Sequence, residues 1–237
     1  SGLDESLDMI YGAMAHAYFE ALGNGMDDTE ALDATVAARR AADNAPEWKV
    51  ERDIADFRAM LERAHGWLQA SRGAFEQVAV EADVNVQVSD NVRIRGRLDR
   101  LERDSSGAVH IVDLKTGAYP PTVDATADNP QLATYQLALA HGEFDGGKVV
   151  TARDGANAFS VGGAVLVYPN ANKTTLSTRE QAKKTADELD ALAAALDGLP
   201  EETAGPTLLA VVGPQCDRCA VRALCPVQPE GATIHHV

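Results

Sequence analysis

Along the chain the spacing of apolar positions changes twice. Residues 4–22, DESLDMIYGAMAHAYFEAL, place apolar side chains at helical intervals and run into Gly23, which predicts a helix closed by that glycine. Asp27 or Asp28 caps a second helix running to about Ala42. Pro46 breaks it, and a third helix is expected from about Val50 to Ser71. The period then drops to two. FEQVAVEADVNVQV (75–88), NVRIRGRLDRLE (91–102) and AVHIVDLK (108–115) alternate apolar and polar residues and predict three successive strands, ended by Pro120-Pro121. Asn129-Pro130 opens a helix through Ala140, with Asn129 as cap and Pro130 in the first turn. GGAVLVYP (162–169) predicts another strand, and residues 178–197 an alanine-rich helix. From Gly213 the chain reads as a loop, closed by the apolar-polar stretch ATIHHV.

This order describes a mixed α/β fold with a helical N-terminal part. A chain of 237 residues that is 45% hydrophobic can bury a proper core. We expect one domain over residues 1–237, with a helical part (1–74), a core (75–212) and a tail (213–237). The net charge of −15 argues against holding nucleic acid through the overall field. No apolar run approaches the roughly 18 residues of a membrane helix, so no membrane partner is expected. No signal peptide is visible, and three cysteines confined to Cys216–Cys225 do not resemble a secreted disulfide framework. A cytoplasmic location follows as the expectation.

The chemistry concentrates in GRLDRLERDSSGAVHIVDLKTG, from Gly96 to Gly117. Residues two apart on a strand share a face, so Arg93, Arg95, Arg97 and Asp99 align, with Val92, Ile94 and Leu98 opposite. On the next strand Asp113 and Lys115 share a face, with Val112 and Leu114 behind them. If Asp99 stands opposite Asp113, two carboxylates converge, and a one-residue slip would separate them. Convergence requires a five-residue connection, Asp104 to Ala108, or a bulge. Facing carboxylates repel unless a cation neutralises them, and hard oxygen ligands suit Mg²⁺ or Mn²⁺. Such an ion lowers the pKa of a bound water and polarises a phosphoryl oxygen. A neighbouring lysine stabilises developing charge. Asp-x-Lys alone is common and reads first as a solvated, ion-paired hairpin face.

Two further pieces bear on this. Gln131 and Tyr135 lie four apart on one helix face, and both side chains can reach a phosphate or a base. His16 follows Gly12 by one turn, and the glycine leaves room for close approach of another element. Taken singly, His16 reads as a satisfied core or surface histidine, and Tyr135 as half-buried beside an exposed Gln131. In the tail, CDRCAVRALCP spaces Cys216, Cys219 and Cys225 so that one loop can wrap a metal or a cluster. Buried, reduced thiols are the plainer alternative.

Together, Gly12-x-x-x-His16, GRLD (96–99), VDLKTG (112–117) and Gln131-x-x-x-Tyr135 resemble, in order and spacing, the RecB-type nuclease branch of the PD-(D/E)xK superfamily. The resemblance covers nearly the whole chain. HGWLQASRGAFEQVAVEADVNVQV (65–88), the GRLDRLE and VDLKTG pair, NPQLATYQLA and GGAVLVYP look most like the C-terminal nuclease domain of actinobacterial AdnAB helicase–nucleases, the AdnA subunit more than AdnB. It implies a restriction-endonuclease-like core, a mixed central sheet flanked by helices. His16, Asp99, Asp113 and the carbonyl of Leu114 would ligate the metal, and Lys115 would be the catalytic lysine. Gln131 and Tyr135 would support the site and contact DNA, and the row of Arg93, Arg95 and Arg97 would hold the DNA strand near the metal. Glu81 sits where the family often has an acidic residue on the preceding strand.

The implied reaction is hydrolysis of DNA phosphodiesters by a metal-activated water, in an enzyme that resects double-strand breaks. Its partners would be single-stranded DNA ends, helicase motor domains of the same chain and a second helicase–nuclease subunit. The resemblance also implies a 4Fe–4S cluster held in the full-length protein by the cysteine trio and one cysteine upstream of the His16 helix. With the trio alone, the site loses its cluster, takes zinc with His235 or His236, or stays empty. The alternative function is a catalytically silent nuclease-like module that guides DNA or docks a partner, stapled by the cysteine site.

Overall fold

The computed structural model describes residues 2–41 and 46–198, so Cys216, Cys219, Cys225, His235 and His236 lie outside the described residues. Three helices come first: α1 (Gly2–Gly23), α2 (Asp28–Ala41) and α3 (Glu47–Ser71). Ala15, Tyr18 and Leu22 form a buried stripe along α1, at the three- and four-residue spacing that turns one helical face inward. Gly23 ends α1, as expected. A side chain there would run into Val80, so the glycine lets the end of α1 lie against the sheet.

The sheet has seven strands in the order β4-β5-β1-β2-β3-β6-β7. They are β1 (Phe75–Gln87), β2 (Arg93–Asp104), β3 (Val109–Leu114), β4 (Gly142–Asp145), β5 (Lys148–Thr151), β6 (Val161–Ala171) and β7 (Thr175–Ala182). The β1–β5 and β3–β6 pairs are parallel and the others antiparallel. Three more helices, α4 (Val123–Ala127), α5 (Pro130–Ala140) and α6 (Ala186–Asp197), complete the described chain. Val112, Leu114 and Val167 pack against Ala15, Tyr18, Phe57 and Leu61 on one face of the sheet. Ile111, Leu98, Ala82 and Leu166 pack against Leu132, Tyr135, Leu139 and Leu189 on the other. Burial on both faces gives a mixed sheet between helical layers. Among the described residues no helix is long and apolar enough to cross a membrane.

Two parts of the chain differ from the sequence expectation. Residues 178–182 belong to strand β7, not to a helix, because they pair antiparallel with β6 from Val167↔Thr178 to Gly163↔Ala182. The turn before β7 carries Asn172 and Lys173 at φ +50° and +68°, and α6 starts only after a Thr185–Glu188 capping box. Residues 142–151 form a hairpin, β4–β5, turned by Gly146 and Gly147 at φ +55° and +87°.

The β2–β3 turn sets the register on which the site depends. Asp104 accepts the Ser106 and Ala108 amides at 2.8 and 3.1 Å and the Ser106 hydroxyl at 2.6 Å, and its Oδ2 lies 2.7 Å from His110 Nε2. The Ser106 hydroxyl, then His110 and the turn amides, hold the Asp104 carboxyl well below its ordinary value of 3.8. A depressed folded pKa contributes stability above 3.8 that is lost as pH falls below it. Thermal melts of Asp104→Asn should therefore show a shallower loss of stability than wild type as pH falls from about 4 to 2. An unchanged slope would contradict this role.

Candidate active site

The register of β2 and β3 runs Arg103↔Val109 to Arg100↔Val112. Continued by one step it sets Asp99 opposite Asp113, the convergent arrangement. The ladder stops there, and the Asp99 side chain fills the gap by accepting the Leu114 amide at 2.8 Å through Oδ2. Asp99 Oδ1 faces the other way, 3.4 Å from Nδ1 of His16 on α1. Helix α1 can lie this close because Gly12 passes Thr116, whose Oγ1 would be 3.3 Å from a Cβ at that position.

Glu81 of β1 completes the group, its Oε1 3.8 Å from the same His16 nitrogen. One ligand atom each from His16, Glu81 and Asp99 lies within 4.8 Å of the other two. The backbone of β1 is distorted to achieve this. Ala79 and Ala82, three residues apart, both join the core beneath α5, while Val80 and Glu81 both line the cleft against α1. Strand parity reverses across this segment, with Glu81 itself at φ +46°. A left-handed glutamate inside a strand costs about 1–3 kcal/mol, and such strain gathers at functional sites. The sequence offered only the acidic residue at 81, not the twist that aims it.

Asp113 and Lys115 stand beside this group. Lys115 Nζ is 2.9 Å from Asp113 Oδ2, an oxygen that is shielded from solvent. Burial raises the Asp113 carboxyl above its ordinary range, Asp99 adds to the rise, and Lys115 and His16 oppose it. Burial alone would lower the His16 imidazole. The Asp99 and Glu81 carboxylates, with the charge of Asp113, outweigh burial and raise it to about 10. Lys115 is likewise pulled down by burial and pushed up, chiefly by Asp113, to about 12. The two cations balance three crowded carboxylates. A site that draws its own imidazole to a charged state is short of positive charge, and imidazole plus carboxylates is a donor set for a divalent ion. The residues fit such an ion.

The remaining predicted residues divide. Tyr135 is buried, and its hydroxyl donates to the Arg97 carbonyl at 3.1 Å, which ties α5 to β2 beside Asp99. Gln131 lies one turn earlier on α5, which Asn129 caps through the Leu132 amide, and its side chain makes no hydrogen bond among the described residues. Arg93, Arg95 and Arg97 are exposed along β2. Arg97 pairs with Asp83 at 3.2 Å and lies 3.7 Å from Glu81, and Arg93 donates to Asn85 at 2.8 Å. The row is thus partly answered from β1. Tyr168 on β6, not singled out from sequence, interacts electrostatically with Lys115 and Asp113.

A profile of the PD-(D/E)XK nuclease superfamily matches residues 2–226. The chain belongs to the PD-(D/E)XK nuclease superfamily. Asp113-Leu114-Lys115 is the stretch at which β3 leaves the sheet. Among curated proteins no relative matches the chain. Among solved structures it is similar to the crystal structure of SSO0001, at 16% identity over 96% of this chain and 98% of that one, with a TM-score of 0.33.

The tight meeting of β2 and α5 gives a direct test of the packing beside Asp99. A Cβ on Gly96 would lie 2.6 Å from the Tyr135 hydroxyl oxygen and 3.1 Å from its ring. Gly96→Ala must displace that ring and break its bond to Arg97, at a stability cost of about 1–3 kcal/mol. Adding Tyr135→Phe should recover part of the loss. A double variant that is only the sum of the two single changes in denaturant melts would contradict the contact.

Proposed function

We propose that the chain is the metal-dependent DNA nuclease domain of a helicase–nuclease, most like the AdnA-type RecB nucleases. The observation that carries this is the meeting of His16, Glu81 and Asp99 within 4.8 Å, next to a buried Asp113–Lys115 pair. His16, Asp99, Asp113 and the Leu114 carbonyl would hold Mg²⁺ or Mn²⁺, and Glu81 joins them as a ligand or as a carboxylate orienting His16. The bound ion supplies a polarised phosphoryl oxygen and a bound water of lowered pKa.

The chain's own residues do the rest. Lys115, raised to about 12, is protonated at neutral pH. It acts as a fixed positive charge beside the phosphate and not as a proton acceptor. Asp99 is held in one orientation by the Leu114 amide, so a ligand oxygen is presented without reorganisation. Tyr135 fixes the β2 backbone next to Asp99, and Gln131 is free to meet the strand. Arg95, which makes no ion pair among the described residues, and the less fully answered Arg93 would hold the backbone of that strand. Cys216, Cys219 and Cys225 would hold a 4Fe–4S cluster with a fourth ligand from elsewhere in the full-length protein. On this reading residues 1–237 are one nuclease domain, fed with DNA ends by motor domains in a cytoplasmic repair enzyme.

The decisive experiment is cleavage of end-labelled single-stranded DNA with Mn²⁺, Mg²⁺ or EDTA. We expect cleavage with either metal and none with EDTA. A folded protein that cuts nothing under any of these conditions would favour the catalytically silent, DNA-guiding or partner-docking module.

A further inference from the structure

We propose that Tyr119 and Lys173 form a platform for unpaired nucleotides beside the cleft, Tyr119 stacking on a base and Lys173 meeting a phosphate. The inference rests on the nuclease reading for its location, but on separate residues for its chemistry. Tyr119 is 80% exposed, four residues after Lys115, in the stretch that leaves β3. A single exposed aromatic needs no explanation by itself. This one sits on a backbone that is held on both sides. The Lys115 amide donates to the Val167 carbonyl at 2.8 Å, and the Asn170 amide reaches the Thr116 carbonyl at 3.4 Å. The Asn172 amide donates to the Ala118 carbonyl at 2.8 Å, and Arg179 Nε donates to the Pro121 carbonyl at 2.7 Å. Pro120 further confines Tyr119 to extended backbone. The ring is therefore presented on a stiff support, which lowers the entropy lost when something stacks on it.

The same hydrogen bonds place the β6–β7 turn next to this loop. At its tip Lys173 occupies φ +68°, next to Asn172 at φ +50°. Lys173 is exposed and has no acidic partner among the described residues, in a chain of net charge −15. An exposed aromatic and an unpaired cation on adjoining loops are the pairing that takes single-stranded nucleic acid: every base has a face to stack, and every linkage a charge to meet. Paired duplex keeps its base faces within its own stack. Such a platform therefore favours unpaired strands.

The test uses oligonucleotides carrying 5-iodouracil, photocrosslinked to the protein and mapped by mass spectrometry, alongside cleavage kinetics. We expect the crosslink on Tyr119. Tyr119→Ala should raise KM for single-stranded DNA about tenfold with kcat little changed, since base stacking is worth roughly that factor or more. Tyr119→Phe should behave as wild type, and Lys173→Ala should weaken binding mainly at low salt. An oligonucleotide with an abasic stretch should abolish the difference between wild type and Tyr119→Ala, which a merely structural tyrosine would not do. A protein that cuts DNA without a crosslink at Tyr119, or whose Tyr119→Ala variant loses duplex and single-strand cleavage equally, overturns the platform and leaves the nuclease reading. A crosslink at Tyr119 in a protein that cuts nothing supports the platform and overturns the nuclease reading.

Discussion

Asp113→Ala is expected to lower metal-dependent cleavage by at least about a hundredfold. Asp113 stands between the two charges that matter most. Its Oδ2 is the oxygen that Lys115 approaches to 2.9 Å, and its charge contributes to raising the pKa of both Lys115 and His16. Removing it takes away a proposed metal ligand and releases Lys115 from its position. One side chain thus accounts for two parts of the proposed site. The variant should still fold, since Asp113 is disfavoured in its charged form by burial and contributes little that packing needs. The measurement is initial cleavage rate with saturating Mn²⁺, checked against a thermal melt. A folded Asp113→Ala protein that retains wild-type cleavage would remove Asp113 from the proposed mechanism.

The largest expected loss of stability lies behind α5. Gln181 and Gln136 are almost fully buried and satisfy one another. Gln181 Nε2 donates to the carbonyls of Thr126, Ala127 and Asn129 at 3.1, 3.1 and 2.9 Å. Gln136 Nε2 donates to Gln181 Oε1 at 2.9 Å and to the Ala182 carbonyl at 3.1 Å, and its Oε1 accepts the Lys184 amide at 2.9 Å. This network joins β7 to the turn that starts α5. Gln181→Ala removes these contacts and the acceptor for Gln136 from a region closed to water, while the three carbonyls keep the Asn129 amide, Lys184 Nζ and the Ala133 amide as donors, so the cost is about 0.5–1.5 kcal/mol for each bond lost. We expect a loss of about 3 kcal/mol and a fall in Tm of roughly 6–12 °C. Because the same turn aims Gln131 and Tyr135, cleavage should also fall below what the fraction folded accounts for. A change under about 1 kcal/mol in denaturant melts would show that water replaces the amide.

Local patterns carried the hairpin and its chemistry. Alternation in β2 and β3, with Asp104 and Ser105-Ser106-Gly107 between them, marks two strands and a tight turn. The parity of Asp99, Asp113 and Lys115 follows from strand geometry alone. Asn129-Pro130 is a local capping signal for the same reason. The strand at 175–182 was hidden because TREQA is as compatible with a helix as with a strand, and only pairing with β6 selects between them. The short hairpin at 142–151 had a Gly-Gly turn as its signal, but four-residue strands carry too few positions to show a period.

The sequence by itself determined which groups are available: two acids and a lysine on one hairpin, a histidine one turn beyond a glycine, a glutamine and tyrosine on one helix face. These depend on neighbours within a few residues, where backbone geometry is fixed by period and turn. Only the tertiary structure decided that Glu81 turns toward His16 through a left-handed backbone, that Asp99 is held by the Leu114 amide, and that Gly96 admits Tyr135. It also placed the Asn172-Lys173 turn against the loop of Tyr119. Each of these joins elements distant along the chain. Their geometry is set by packing on both faces of the sheet, which no local pattern encodes.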